Sequence, residues 1–213
     1  SGLPFANLGN NYTNSDWTFI DDMDMLDRKR AHVVAKLKFK NEWDLAQHID
    51  SRERRHIIGE YYLTPLDIAR QKDFHDSIVL SKSNWDSHGY SNHLLFKFWF
   101  PGIKELSSTY LPYRSLQPKG IDGILVTGTG ISAHRDSFPI IRMQADVQNH
   151  GYAAGVASAI AAQDNTSVKK ISIRKLQKKL VQKGILEITA AGKKDSPQTD
   201  ATGVDKAISN LKD

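Results

Sequence analysis

Apolar positions change their spacing several times along this chain, and each change marks an element. Residues 1 to 21 are rich in Asn, Ser, Asp and Gly with few periodic apolar positions, which predicts a loop or extended N-terminal segment. Within residues 22 to 49, Met25, Leu26, Val33, Val34, Leu37, Trp43, Leu45 and Ile49 alternate with charges, which predicts a helix. The tract from His56 to Thr64 is β-branched and aromatic and predicts a strand. Thr64-Pro65-Leu66-Asp67 then predicts a helix start, with Thr64 as cap and Pro65 in the first helical position. Residues 84 to 112 gather Trp85, Tyr90, Phe96, Phe98, Trp99 and Phe100 and predict a β-rich cap. A β-branched run, Ile124-Leu125-Val126-Thr127, predicts a strand that ends at Gly128-Thr129-Gly130. Helices are expected from about Ala145 to Ala162 and from about Ile173 to Lys183, followed after Gly192 by a polar, mobile tail.

The helix after the glycine corner is built largely of small residues. Gly151, Ala154, Gly155, Ser158, Ala161 and Ala162 recur at spacings of three and four, a stripe that lets a helix lie close to a sheet. A glycine corner can approach a ligand closely or adopt positive φ, and a helix start offers unpaired N–H groups with a partial positive charge. The two together read as half of a nucleotide-cofactor site. Gly128-Thr129-Gly130-Ile131-Ser132-Ala133 also matches GxGxxA, but it is not a dinucleotide fingerprint. That motif needs a helix opening at the turn, and here His134-Arg135-Asp136-Ser137-Phe138-Pro139 follows, with a proline and no apolar period.

Composition narrows the classes. With 39% hydrophobic and 25% charged residues the chain is ordinary for a packed soluble protein. The formal charge of +5 raises the question of nucleic acid, but the densest basic run, from Lys169 to Lys183, shares its helix with Ile171, Ile173, Leu176, Leu180 and Ile185. A solvated helix face is the favoured reading, with an anionic partner second, and no nucleic-acid-binding signature accompanies it. The absence of cysteine excludes disulfides, thiolate catalysis and Cys-based metal sites. No run of about 18 apolar residues predicts a membrane span, and the sequence leaves a cytoplasmic or periplasmic compartment open. No two of His75, His88 and His93 share an i, i+4 helical face and no acidic third ligand is evident in the sequence, so no metal is expected.

Four blocks carry a resemblance to a known family. They are Arg52-Glu53-Arg54-Arg55-His56-Ile57-Ile58-Gly59-Glu60-Tyr61 with Leu63-Thr64; Leu111-Pro112-Tyr113-Arg114-Ser115-Leu116 leading to Pro118-Lys119-Gly120; Val126-Thr127-Gly128-Thr129-Gly130-Ile131-Ser132-Ala133; and Ile141-Arg142-Met143-Gln144 running to Gly151-Tyr152-Ala153-Ala154-Gly155. Over roughly Arg52 to Ile185 their order and spacing resemble the C-terminal part of the FAD-dependent oxidoreductases, within the glutathione-reductase-like flavoproteins. The resemblance implies an α+β or α/β fold: a fragment of a two-domain flavoprotein, with a β-rich substrate cap and the strand and helix that close the FAD domain. Residues 22 to 118 would form the substrate region, 119 to 190 the segment completing the FAD domain, and 191 to 213 the tail. FAD is the implied cofactor, and Gly128, Thr129, Gly130, Arg142, Gln144, Gly151, Tyr152 and Ala154 are its implied ligands. Two departures stand out: Thr129-Gly130 replaces the family's Gly-Arg, and Arg135 follows His134 where the family often has histidine.

No Gly-x-Gly-x-x-Gly opening a helix precedes residue 120, although in the family that unit opens the FAD domain. The expectation is therefore a C-terminal portion of a longer enzyme that transfers hydride between a small organic substrate and flavin N5. It would need the missing N-terminal part as partner, and it would be inactive alone. Candidate catalytic residues are Arg52, Glu53 and Arg55, where an arginine beside a carboxylate can orient it or grip substrate; Arg114, on the segment feeding the glycine strand; and His88, a possible base in a turn-rich stretch. Each also has a structural reading, as ion pair, loop cap or surface histidine. The alternative function is a non-catalytic ligand- or partner-binding module on a flavoprotein-like scaffold.

Overall fold

Local signals account for the best-defined helices of the computed structural model, which describes residues 55–83, 85 and 107–196 together with positions 24–26, 29, 33 and 37. Helix α1, Pro65–Ala69, begins where predicted: Thr64 Oγ1 accepts the Asp67 N–H at 3.2 Å, and Asp67 Oδ2 accepts the Thr64 N–H at 2.9 Å. This reciprocal pair satisfies two donors that a helix start otherwise leaves unpaired, while Pro65 has no N–H to satisfy. Of the helix expected within 22 to 49, positions 25, 26, 29, 33 and 37 are helical, and Met25, Leu26, Val33 and Leu37 are exposed.

Strand β1, Ser77–Ser83, pairs antiparallel with β2, Ser107–Pro112, placing Ser77 opposite Pro112 and Ser83 opposite Ser107. These are the two strands of the sheet among the described residues. One face of β1 buries Ser77, Val79, Ser81 and Ser83 while Lys82 points to solvent. Of the expected β-rich cap at 84 to 112, Trp85 and β2 fall within the described residues; Trp85 is buried and donates its indole N–H to Ser107 Oγ at 2.7 Å.

Two expected strands take other forms. Residues 56–64 run extended between two loops and are held by single bridges, Gly59 to Pro118 and Leu63 to Ala133. Backbone bonds Ile57 N–H to Gly130 O, Glu60 N–H to Gln117 O and Leu63 N–H to Ser132 O stitch this strip in place. A Cβ on Gly59 would lie 2.5 Å from Ser132 Cβ, so only glycine fits between the two loops. Residues 124–127 are extended but belong to no sheet, and their backbone pairing among the described residues is the bond from Val126 N–H to Leu116 O. β-branched composition favours a strand only where a neighbouring strand is present.

The remaining helices are α2, Phe138–Ile141; α3, Gln144–Gln163; and α4, Ile173–Lys183. α4 occupies the predicted span, with Ser172 accepting the Lys175 N–H at its start and Gly184 at φ 78° closing it in the left-handed conformation. α3 packs on β1 and α4. The shared core includes Phe74, Ile78, Val79, Leu111, Tyr113, Ile140, Ala153, Ala157, Leu176 and Leu180. Tyr113 anchors it by donating its hydroxyl to Val168 O at 2.8 Å. Burying each large apolar side chain here contributes roughly 1.5–3 kcal/mol.

The chain beyond Gly192, expected to be mobile, is tied down as far as Ser196. The Ser196 N–H bonds Asp73 O, Ser196 Oγ accepts the Asp73 N–H, and Asp195 accepts the His75 N–H at 2.8 Å. No helix among the described residues is long and apolar enough to cross a membrane.

Candidate cofactor site

The N-terminus of α3 is open. Its N-cap residue, Met143, has no oxygen to accept the first-turn N–H groups, and Gln144 and Ala145 are exposed. A helix of 20 residues whose N-cap side chain makes no hydrogen bond to its first turn carries a partial positive charge at that end. Asp146 closes the turn from within by accepting the Met143 N–H. Burial raises its carboxyl to about 6, against the pull of the Ser81 hydroxyl and that N–H. Ser81 Oγ approaches the carboxyl without reaching a well-formed hydrogen bond. One turn on, His150 is fully buried with neither ring nitrogen partnered, and desolvation lowers it to about 4.

The glycine corner sits against this helix end. Gly128–Gly130 forms a single 3₁₀ turn, with Gly128 at φ 69°, a conformation that favours glycine. A Cβ on Gly128 would stand 3.5 Å from Val147 Cγ1 of α3, and one on Gly130 would stand 3.2 Å from Val126 Cγ1. The chain then dives inward: Ile131, Ser132 and Ala133 are buried, and Ser132 Oγ has no hydrogen-bond partner.

The small-residue stripe of α3 divides into two faces. Ala153, Ala154, Ala157 and Ala161 are buried in the core. Gly151, Gly155, Ser158 and Ala162 are exposed, and nothing lies within 4 Å of a Cβ built on Gly151 or Gly155. The stripe expected to lie against a sheet therefore does so on one side, while its glycines form a bare surface. Tyr152 lies on a third face, toward α4, with Lys183 Nζ 5.9 Å from its ring centre.

A group that the sequence reading left without a role gathers beside the glycine corner. His56 stacks on Phe138 with ring centres 4.4 Å apart, and His134 meets Tyr62 edge-on at 6.3 Å. The bond from Ile57 N–H to Gly130 O, 2.9 Å, ties this group to the corner. Burial, and secondarily the charge of His134, lowers the pKa of His56, whose Nε2 is buried without a partner. Burial, and then Asp136, raises that of Tyr62. His134 Nδ1 accepts the Asp136 N–H at 3.1 Å, so the neutral ring carries its proton on Nε2. The signal was present in the letters, since His56 and His134 fall inside or beside the quoted blocks. Their convergence depends on the strip at 56–64 meeting a loop that carries His134, 78 positions after His56.

Of the expected catalytic residues, Arg55 and Arg114 fall within the described residues. Arg114 is engaged by two carboxylates: it donates to Asp76 from Nε and Nη2, both at 3.0 Å, and from Nη2 to Asp195 at 2.9 Å, with the Tyr61 ring 5.2 Å away. Burial opposes the charge of Asp195, but His75 and Arg114 outweigh it and hold the carboxyl at about 2. His75, Asp76 and Asp195 bring ligand atoms within 4.8 Å of one another, the geometry of a metal site, but the carboxylates already serve Arg114. Arg142 caps α2 at the entrance to α3 and is half-buried; Gln144 opens α3; Arg55 is exposed near Gly130. Arg52, Glu53 and His88 lie outside the described residues.

Residues 11–180 match the sequence profile of a family described as FAD dependent oxidoreductase. No curated protein and no solved structure matches the chain.

Proposed function

On the premise that this chain belongs to the FAD-dependent oxidoreductase family, we propose that residues 128–155 hold the flavin-ring end of its FAD. The adenosine pyrophosphate end would be held by a strand–turn–helix unit outside these 213 residues. The observation that carries the reading is the start of α3, a long helix with no side-chain cap from Met143, exposed Gln144 and Ala145, and the Gly128–Gly130 turn packed beside it. Such a terminus suits the flavin edge on which negative charge develops during reduction. Gly128 and Gly130 bring backbone rather than side chain to the ring, and the bare Gly151 and Gly155 face is shaped to receive closely packed polypeptide.

When bound, FAD supplies the hydride-transfer chemistry at its N5 position. The chain's own residues supply orientation and proton handling. Arg142 and Gln144 sit at the mouth of the helix, where they position the cofactor or an anionic substrate. His134, with Nδ1 occupied by the Asp136 N–H, lies beside Tyr62 and His56. That group binds the polar end of a small organic substrate and holds the proton that leaves or joins it when hydride moves.

Flavin binding tests the proposal. The 213-residue chain and a longer polypeptide that includes a Gly-x-Gly-x-x-Gly unit are each mixed with FAD and followed by visible absorbance and flavin fluorescence. The longer protein should carry stoichiometric FAD released by heat, and Gly155→Leu should weaken its retention at least tenfold, whereas the 213-residue chain alone should bind weakly and show no turnover. Tight binding and turnover by the short chain would refute the divided site. A longer protein with no affinity for flavin would refute the whole reading.

A further inference from the structure

Tyr152 was assigned to the cofactor by resemblance, yet it faces away from the glycine corner. Val147 of α3 meets Gly128; at roughly 100° per residue, Tyr152 lies about 140° around the helix axis from it. There it lines a groove of about 320 Å³ between α3 and α4. Tyr152, Val156 and Ile160 form the apolar floor, and Lys179 and Lys183, one turn apart on α4, form the rim. No acidic residue lines the groove. Among the described residues neither lysine has a carboxylate partner, whereas Lys175 on the same helix is paired with Asp164 at 2.7 Å.

We propose that this groove is a binding site for a small aryl anion, its ring over Tyr152, Val156 and Ile160 and its carboxylate or phosphate between Lys179 and Lys183. The volume lies at the lower end of the range of small-molecule sites, and the lining divides between an apolar side and a polar one that adds Gln163 and Gln182 to the two lysines. Two ammonium groups with no carboxylate partner among the described residues select an anion, and the Tyr152 ring, with Lys183 Nζ 5.9 Å from its centre, offers its remaining surface to an aromatic ring packed offset or edge-on. The site does not depend on the cofactor reading, since it occupies a different face of α3.

The test is a set of amide-resolved NMR titrations of the whole chain with phenyl phosphate, benzoate, inorganic phosphate and benzylamine. Saturable shifts centred on Tyr152, Val156, Ile160, Lys179 and Lys183 are expected with one or both aryl anions, with Kd on the order of 1 mM or tighter. A preference between them identifies phosphate or carboxylate as the recognised group. Inorganic phosphate should bind at least tenfold more weakly, and benzylamine should not saturate. K179Q and K183Q should each weaken binding about tenfold with thermal midpoints unchanged, because both lysines are exposed. Raising salt should weaken it further. Equal response to inorganic and phenyl phosphate, equal binding of benzylamine, or insensitivity to both lysine substitutions would overturn the assignment.

Discussion

Gly59 shows how much one hydrogen atom in place of a side chain decides. It lies where the strip at 56–64 passes Ser132 and Gln117, and a methyl group there would meet Ser132 Cβ at 2.5 Å and Gln117 O at 3.2 Å. Gly59→Ala is expected to cost about 1–3 kcal/mol, as overpacking of a filled core does, and to shift the Ile57 to Gly130 contact at the edge of the candidate site. Chemical denaturation measures the first effect; an unchanged midpoint would show that the strip yields freely. His150 and Asp146 give the molecule opposed acid responses. The folded pKa of His150, about 4, lies below its ordinary 6.5. The unfolded chain therefore takes up the extra proton between those values, and stability falls as pH drops through that window. Asp146 is raised from 3.8 to about 6, so the native state holds the extra proton and the associated stability is lost as pH rises through 6. The two slopes offset one another in the unsubstituted protein. Relative to it, His150→Leu should gain ~1–3 kcal/mol on acidification from pH 6.5 to 4, and Asp146→Asn should gain a similar amount as pH rises from 4 to 7. Flat difference curves for both variants would rule out this account.

At the scale of elements, legibility followed the range of the determining interactions. α1 was readable because Thr64, Pro65 and Asp67 settle its start within four residues, and α4 because Ser172 and Gly184 bracket it. The segments 56–64 and 124–127 were misread as strands because their partners, not their β-branched composition, determine pairing. The first residues of the expected tail, up to Ser196, differ from a mobile segment for the same reason. Lys193, Asp195 and Ser196 look like solvent-loving residues in sequence, but they meet Asp73, His75 and Arg114 about 80 to 120 positions away. Ending the chain after Gly192 should lower the thermal midpoint by a few degrees. Asp195→Ala alone should cost about 1 kcal/mol or less, because that side chain is 39% exposed and its pairs are screened by solvent. Scanning calorimetry separates the two; identical midpoints for the shortened and unshortened chains would mean that the strap adds nothing.

For the whole molecule, a mixed architecture, α+β or α/β, and the family are both legible in the sequence, and FAD as cofactor follows from the family. Ile58, Ile121 and Ile124 are exposed apolar side chains, and the glycine face of α3 is bare; the proposed division of the cofactor domain would place further polypeptide on such surfaces. That division is what the flavin-binding experiment decides. Periodicity, capping and φ preference act over a few residues, so the capped helices, the glycine corner and the order of the blocks are written in the letters alone. Tertiary structure alone decided that Arg114 serves an ion-pair network, that His56 and His134 converge beside Gly130, and that Tyr152 turns from the corner toward Lys183. Such outcomes depend on which distant segments share a surface, and packing between remote parts of the chain leaves no local pattern.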